Sequence, residues 1–168
     1  MTTPYCIRTA TEADITAIKQ LADATWEPTY RHILSQEQIA YMFSKIYTEE
    51  ALLEQMQAGQ TFLLLQEQNE PIGFASISEK DAEKQVYKLN KIYLLPSCQG
   101  RGLGRVLLNS AEAMALAKGA HIIDLNVNRH NQALIFYQSC GYHVLQEEDI
   151  PIGPYYMNDY VLRKELYG

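Results

Sequence analysis

Cysteine is scarce in this chain. Cys6, Cys98 and Cys140 are the only three in 168 residues, an odd number with no metal-type spacing. A disulfide framework is excluded, and a reduced, cytoplasmic protein is the simplest expectation. No apolar run approaches membrane-spanning length, and the first ten residues lack the basic-then-apolar pattern of a secretory signal. No membrane partner is expected. Basic residues are also in deficit, 14 Lys and Arg against 20 Asp and Glu, a net charge of −6. A nucleic-acid binder wants a basic face, so that class is set aside, while a cationic substrate is favoured. His32, His121, His130 and His143 show no ligand spacing and no flanking acidic pair, so no metal is expected. Repeats, biased segments and linkers are absent too, which predicts one domain over residues 1–168.

What the chain does have is a stretch that reads as strand, glycine-rich loop and helix. The apolar residues Leu89, Ile92, Tyr93, Leu94 and Leu95 stop at Pro96. Gln99, Gly100, Arg101, Gly102, Leu103, Gly104 and Arg105 follow, and Leu103, Val106, Leu107, Ser110, Met114 and Ala117 recur at helical spacing up to Gly119. Bare backbone at a helix N-terminus is suited to a phosphate, because several N–H groups converge there with no side chain in the way. Arg101 and Arg105 bring full positive charges to the same place. The Walker pattern is absent, and the dinucleotide fingerprint fails because Arg105 stands where its third glycine belongs.

Around this stretch the periodicity predicts a strand at residues 5–9. A helix follows with Ile15, Ile18, Leu21, Ala22 and Thr25 on one face, opened by a capping box of Thr11 and Asp14. Ser35 with Gln38 opens a second helix, and Thr48 with Glu49 and Glu50 a third that stops at Gly59. Strands are predicted at 62–66, 72–78 and 85–95, the first two as an antiparallel hairpin. Residues 122–127 form a further strand, reached through the phosphate-type helix and hence parallel to its neighbour. Asn131 is the predicted N-cap of a helix carrying Ala133, Leu134, Tyr137 and Cys140 and ended by Gly141. Strands at 142–145 and 156–166 close the chain, with a long loop at 146–155 in which Glu147, Glu148 and Asp149 make a solvated turn. Trp26, Glu27 and Tyr30 fall in a connection between the first two helices. They form either an aromatic wall for an amine, with Glu27 as its counter-charge, or a helix end packed on the core.

Two motifs in this order resemble the GNAT superfamily of acyl-CoA N-acyltransferases. The phosphate loop Gln/Arg-x-x-Gly-x-Gly/Ala is met by Gln99, Gly102 and Gly104. The later motif Asn…Ala…Phe-Tyr-x-x-x-Gly-Phe is met by Asn131, Ala133, Phe136, Tyr137, Gly141 and Tyr142. The resemblance covers nearly the whole chain, and Thr-Trp-x-x-Thr-Tyr with VNRHNQALIFY is most similar to the polyamine-type N-acetyltransferase branch. It implies an α/β fold with a mixed, mostly antiparallel sheet, a splayed parallel central pair and helices on both faces. It implies acetyl-CoA as co-substrate, and a small-molecule or peptide amine as acceptor.

By the same resemblance, main-chain groups of Ile92, Tyr93 and Leu94 would pair with the pantetheine amides. Gln99, Gly100, Arg101, Gly102, Leu103, Gly104 and Arg105 would hold the pyrophosphate. Asn131 would contact the pantetheine arm, and Tyr137 would face the thioester sulfur. The leading acceptor is a polyamine or other small cationic amine. A protein N-terminus, a lysine, an amino-bearing antibiotic and a non-catalytic acyl-CoA-binding module are the alternatives, and exposed strand edges leave a homodimer open. Aminolysis needs a neutral amine, and deprotonating a lysine-like amine at pH 7 costs about 4–5 kcal/mol. Many relatives carry a glutamate base where Asn90 stands. Water relayed through Asn90, Glu27, or a carboxylate of residues 147–149 is left as the base.

Overall fold

Side chains of residues 61–67 divide by parity: Leu63 and Leu65 join one apolar cluster, Phe62 and Leu64 another. A strand apolar on both faces belongs inside a sheet covered on both sides. The structure, a computed structural model, describes residues 4–167; residues 1–3, part of the stretch read for a signal, and residue 168 lie outside the described residues. The strands are β1 (Tyr5–Thr9), β2 (Thr61–Glu67), β3 (Glu70–Asp81), β4 (Val86–Leu94), β5 (Ile122–Asn128), β6 (His143–Ile152) and β7 (Tyr155–Glu165). They form one sheet in the order β1-β2-β3-β4-β5-β7-β6, parallel at β4–β5 and antiparallel elsewhere. Helices α1 (Ile15–Tyr30), α2 (Gln36–Ile46) and α3 (Glu49–Gln57) cover one face, through Ile18, Trp26, Met42 and Leu52. Helix α4 (Leu103–Ala117) covers the other through Leu107, Leu108 and Ala111, with α5 (Ala133–Ser139) beside it.

Two stretches differ from the sequence expectation. Helix α1 does not end at residue 25 but runs through Pro28 to Tyr30. Proline removes one helical hydrogen bond, yet only the last turn follows it, and burial of Trp26 and Tyr30 holds that turn in place. The expected loop at 146–155 is instead the tip of a long hairpin, with β6 and β7 paired from His143↔Arg163 to Ile152↔Tyr155. Polar Glu147, Glu148 and Asp149 look like a turn, but they lie on an edge strand exposed along most of its length. Gly153 turns the hairpin at φ +56°, and a Cβ there would lie 2.1 Å from the Tyr41 hydroxyl on α2.

The sheet opens at its centre. Strands β4 and β5 pair only over Val86↔Ile122, Tyr87↔Ile123, Lys88↔Asp124 and Leu89↔Leu125. Beyond that, β4 stays with β3 to Gly73↔Leu94, while β5 stays with β7 to Asn128↔Asp159. The divergence begins at a bulge. Ser76 pairs with Lys91 and Ile77 with Leu89, which leaves Asn90 as the extra residue of β4. An extra residue bends its strand and increases the local twist. The Asn90 side chain donates from Nδ2 to Ser78 Oγ at 2.8 Å, tying the bulge to β3. Gly73 lets the far end of β4 close on β3, since a Cβ there would sit 2.8 Å from the Tyr93 carbonyl oxygen.

Below the opening, the sheet is held by Asp124, which is fully buried on β5. It accepts from Lys80 Nζ on β3 at 2.7 Å and from Arg163 on β7 at 2.8 and 2.9 Å. Burial works against its charge, but the Arg163 and Lys80 hydrogen bonds outweigh that and lower its pKa below the usual 3.8. A lowered folded pKa stabilises above the unfolded value and stops doing so as pH falls through the folded one. Asp124→Asn is therefore expected to cost about 3 kcal/mol at pH 7 by urea unfolding, with the deficit shrinking as pH drops below 3.8.

Candidate active site

Two adjoining cavities occupy the opening between β4 and β5. The larger, about 880 Å³, is lined by Asn90 and residues 91–94 of β4, residues 125–127 of β5, Tyr30 of α1, and Asn131 and Tyr137 from the α5 region. The smaller, about 550 Å³, joins Ile92, Tyr93, Leu94 and Tyr137 to Gln99, Gly100, Gly102, Gly104 and Arg105. Strand edge, glycine loop and Tyr137 thus border one continuous space.

Each wall follows from its local sequence. On β4, residues 91–94 have lost their β5 partner, so the peptide groups facing β5, apart from the Leu94 carbonyl that accepts from Gln99, are free to bond an extended ligand. Pro96 begins a short 3₁₀ turn that ends the strand, and the loop passes through Gly100 at φ +80° and Gly102 at φ +78°. Those values favour glycine, and none of the described residues lies within 4 Å of where a Cβ would project, so the cradle is open. Gly102 is the N-cap of α4 with no side-chain cap, and the first helical bond is Val106 N–H to Gly102 O at 3.2 Å. The N–H groups of Leu103, Gly104 and Arg105 consequently lack helical partners and carry the positive end of a 15-residue helix. This backbone fits a diphosphate, with the strand edge and Tyr137 on the far side.

Individual side chains distribute unevenly. Gln99 donates to Leu94 O at 3.2 Å and borders both cavities. Arg105 reaches the smaller cavity, whereas Arg101 is turned to Glu67 on β2 and borders neither. The Leu103 side chain is buried in the core, which leaves only its backbone to a ligand. The N-cap of α5 is Gln132 and not, as expected, Asn131, whose Oδ1 accepts from Ala133 N–H at 2.9 Å in the turn just before the helix. Trp26 is 4% exposed, donates to Ile39 O at 3.1 Å and packs 4.5 Å from the Tyr30 ring, so it is core and not cavity wall. Glu27 is on the surface in an ion pair with Arg31 and also lies off the cavity. Tyr30 and Asn90 do line it.

Burial governs the titration of the phenols. Tyr137 is raised by burial and by the nearby Tyr30 and Cys140, and Tyr30 and Tyr93 are raised by burial and by neighbouring phenols. All three stay protonated at neutral pH; Tyr30 and Tyr93 interact with each other, and Tyr93 with Tyr47, while Tyr137 borders both cavities.

Sequence reasoning missed three groups here. Lys91 is 7% exposed, yet it has a hydrogen bond to Gln60 Oε1 and no carboxylate partner among the described residues. Burial, with the nearby Lys88 charge, lowers its pKa to about 8. Asn126 and Asp159 are the other two, discussed below. None carried a signal in the sequence, because each depends on pairing between distant strands.

An opened mixed sheet with a glycine-capped helix at its mouth defines a class of acyl-carrier-binding transferase folds. The family model described as the acetyltransferase (GNAT) domain matches residues 31–153, and the chain belongs to the GNAT acetyltransferase family. It is 30% identical over 150 residues to the uncharacterised N-acetyltransferase YuaI of Bacillus subtilis, covering 86% of this chain and 85% of that protein. An uncharacterised N-acetyltransferase of Mycobacterium tuberculosis is 34% identical over 96 residues, 56% of this chain. The chain spans only 60% of that relative's length. Among solved structures, PaiA N-acetyltransferase from Thermoplasma acidophilum in complex with coenzyme A superposes with a TM-score of 0.83 at 25% identity, covering 97% of this chain and 99% of that one.

Lys91→Met tests the electrostatics of this wall. A lysine lowered from 10.5 to about 8 costs the fold its full penalty below pH 8. The variant is expected to be more stable by about 2–3 kcal/mol at pH 7 in urea unfolding. That advantage should fade as pH rises from 8 towards 10.5.

Proposed function

We propose that this protein transfers the acetyl group of acetyl-CoA to a primary amine, with a small cationic amine of the polyamine type as acceptor. The chain acts as one catalytic domain, in the cytoplasm. The observation that carries the reading is the free edge of β4 facing Tyr137 across a cavity whose mouth is the glycine loop. Family membership and the likeness to a coenzyme A complex support it. Acetyl-CoA, when bound, supplies an activated acetyl thioester.

The chain's own groups divide the work. Peptide groups of Ile92, Tyr93 and Leu94 receive the pantetheine amides as an added strand would. Gly100, Gly102, Gly104 and the N–H groups of Leu103 and Arg105 hold the pyrophosphate, Gln99 closes the loop, and Arg101 joins only by leaving Glu67. Asn131 fixes the start of α5, and so the height of Tyr137 above the cavity. A β4 peptide N–H is positioned to hydrogen-bond the developing oxyanion. Tyr137 serves the leaving sulfur. Its phenol, raised above 10, is a weaker acid than a thiol of about 8.5. It therefore acts as a hydrogen-bond donor to the departing thiolate and gives up no net proton.

Turnover is read by mass spectrometry of the acetylated amine, with spermidine and simple diamines as acceptors. Tyr137→Phe is expected to lower kcat about 100-fold while the rise in Tm produced by CoA persists, because the substitution removes only a hydroxyl. Unchanged turnover in the variant contradicts the role of Tyr137. CoA binding without turnover of any amine by the wild type contradicts the enzyme itself.

A further inference from the structure

Asn126 stands on β5 at the side of the larger cavity facing the α1 helix, across the opening from Asn90. Its Nδ2 donates twice, to Glu148 Oε1 on β6 at 3.0 Å and to Asp159 Oδ2 on β7 at 3.2 Å. Both partners are carboxylates and can only accept, so the amide has one orientation. Its carbonyl oxygen accepts from no donor among the described residues and is the end left to the cavity.

Asp159 behind it is unusual. It is 5% exposed, and its Oδ1 is buried with no hydrogen-bond partner among the described residues. An unpaired oxygen on a buried carboxylate carries a desolvation cost that folding alone does not explain. None of the charged and titratable groups around it makes a direct ion pair with it. Tyr30 is an uncharged phenol, and Glu148 is a like charge. Lys88 and Arg129 favour its charged form from a distance, but Lys88 makes no ion pair with it and Arg129 is engaged by Glu147 and Asp149. Burial, with the nearby Glu148 charge, raises the pKa of Asp159, and the structure therefore holds beside Asn126 a buried carboxyl group with no direct ion-pair partner among the described residues.

We propose that the Asn126 carbonyl oxygen accepts a hydrogen bond from the attacking amine, and that Asp159 and Glu148 act through the Asn126 amide as positioning residues. The inference rests on the amine acetyltransferase reading above and names how that site takes its acceptor. In the step, the amine lone pair forms the C–N bond and the carbonyl π pair moves to oxygen, so positive charge develops on nitrogen. When the C=O re-forms, the C–S bond breaks and its electron pair leaves with sulfur. The nitrogen proton ends on that sulfur, giving amide and thiol. Two carboxylates bonded to the Asn126 N–H groups draw electron density towards its oxygen, which strengthens its bond to the cationic nitrogen. The attacking nitrogen reaches the thioester as the free amine, its ammonium proton having passed to solvent, and the same carboxyl groups favour an acceptor whose remaining amines are cationic.

The experiment is a double-mutant cycle on the full chain, with saturating acetyl-CoA and spermidine as acceptor. Asn126→Ala is expected to lower kcat/KM for spermidine about 100-fold, within the range seen for lost transition-state donors and acceptors. Asp159→Asn keeps the shape and is expected to cost about 10-fold in the wild-type background and nothing further beside Asn126→Ala, as coupled groups do. Glu148→Gln, at an exposed edge position, guards against misfolding and is expected to cost about threefold, and again nothing beside Asn126→Ala. The CoA-induced Tm rise should be unchanged in all of them. Equal losses for Asp159→Asn with and without Asn126, or an unchanged kcat/KM in Asn126→Ala, overturn the inference while leaving acetyl transfer intact. A wild type that binds CoA yet acetylates no amine overturns both.

Discussion

The arrangement of this protein depends on a sheet that is sealed at one end of its parallel pair and open at the other. Four residue pairs hold β4 to β5, and Asp124 ties β3, β5 and β7 together beside them. One extra residue, Asn90, then bends β4 towards β3. The result is a row of peptide groups with no strand to bond. A strand edge that borders a cavity keeps its hydrogen-bonding groups available, and an extended ligand with amides of its own can pair with them. The glycine loop and the α4 N-terminus stand at the same end, so one ligand with a peptide-like arm and a diphosphate meets both.

Polarity is arranged around that opening with the same economy. Asn90 and Asn126 face each other from the two diverging strands, each with its N–H groups committed elsewhere: Asn90 to Ser78, Asn126 to two carboxylates. Phenols line the space between, and burial keeps Tyr30, Tyr93 and Tyr137 protonated. The cavity is therefore bordered by the protonated Tyr137 phenol and by two asparagine side chains whose N–H groups are taken. A reaction that builds negative charge on a thioester oxygen and sulfur, and positive charge on a nitrogen, is matched by that division.

Local chemistry was legible in the sequence, and long-range pairing was not. Gly100, Gly102 and Gly104 announce a bare turn because backbone freedom is a property of the residues themselves. The Tyr137 helix could be read from spacing, and the mixed sheet followed once the two motifs were seen together. Trp26 was ambiguous between cavity wall and core, and residues 26–30 were read as a connection although they continue the first helix. The β6–β7 hairpin looked like a loop because an edge strand exposed along most of its length has no apolar alternation to show. The bulge at Asn90, the buried Lys91 and the unpaired Asp159 arise from which strands become neighbours, and no window of sequence contains that information. The missing glutamate at position 90 was visible, but the group facing it across the opening was not.

The central claim is that the edge of β4 beyond its bulge is the surface that takes the acyl carrier. Amide hydrogen exchange, resolved by residue with and without coenzyme A, tests it most directly. The account predicts that amides within residues 92–94 and 103–105 gain protection on binding, while those of residues 86–89, already paired to β5, change little. Protection confined to other parts of the chain, with residues 92–94 exchanging as before, would contradict it.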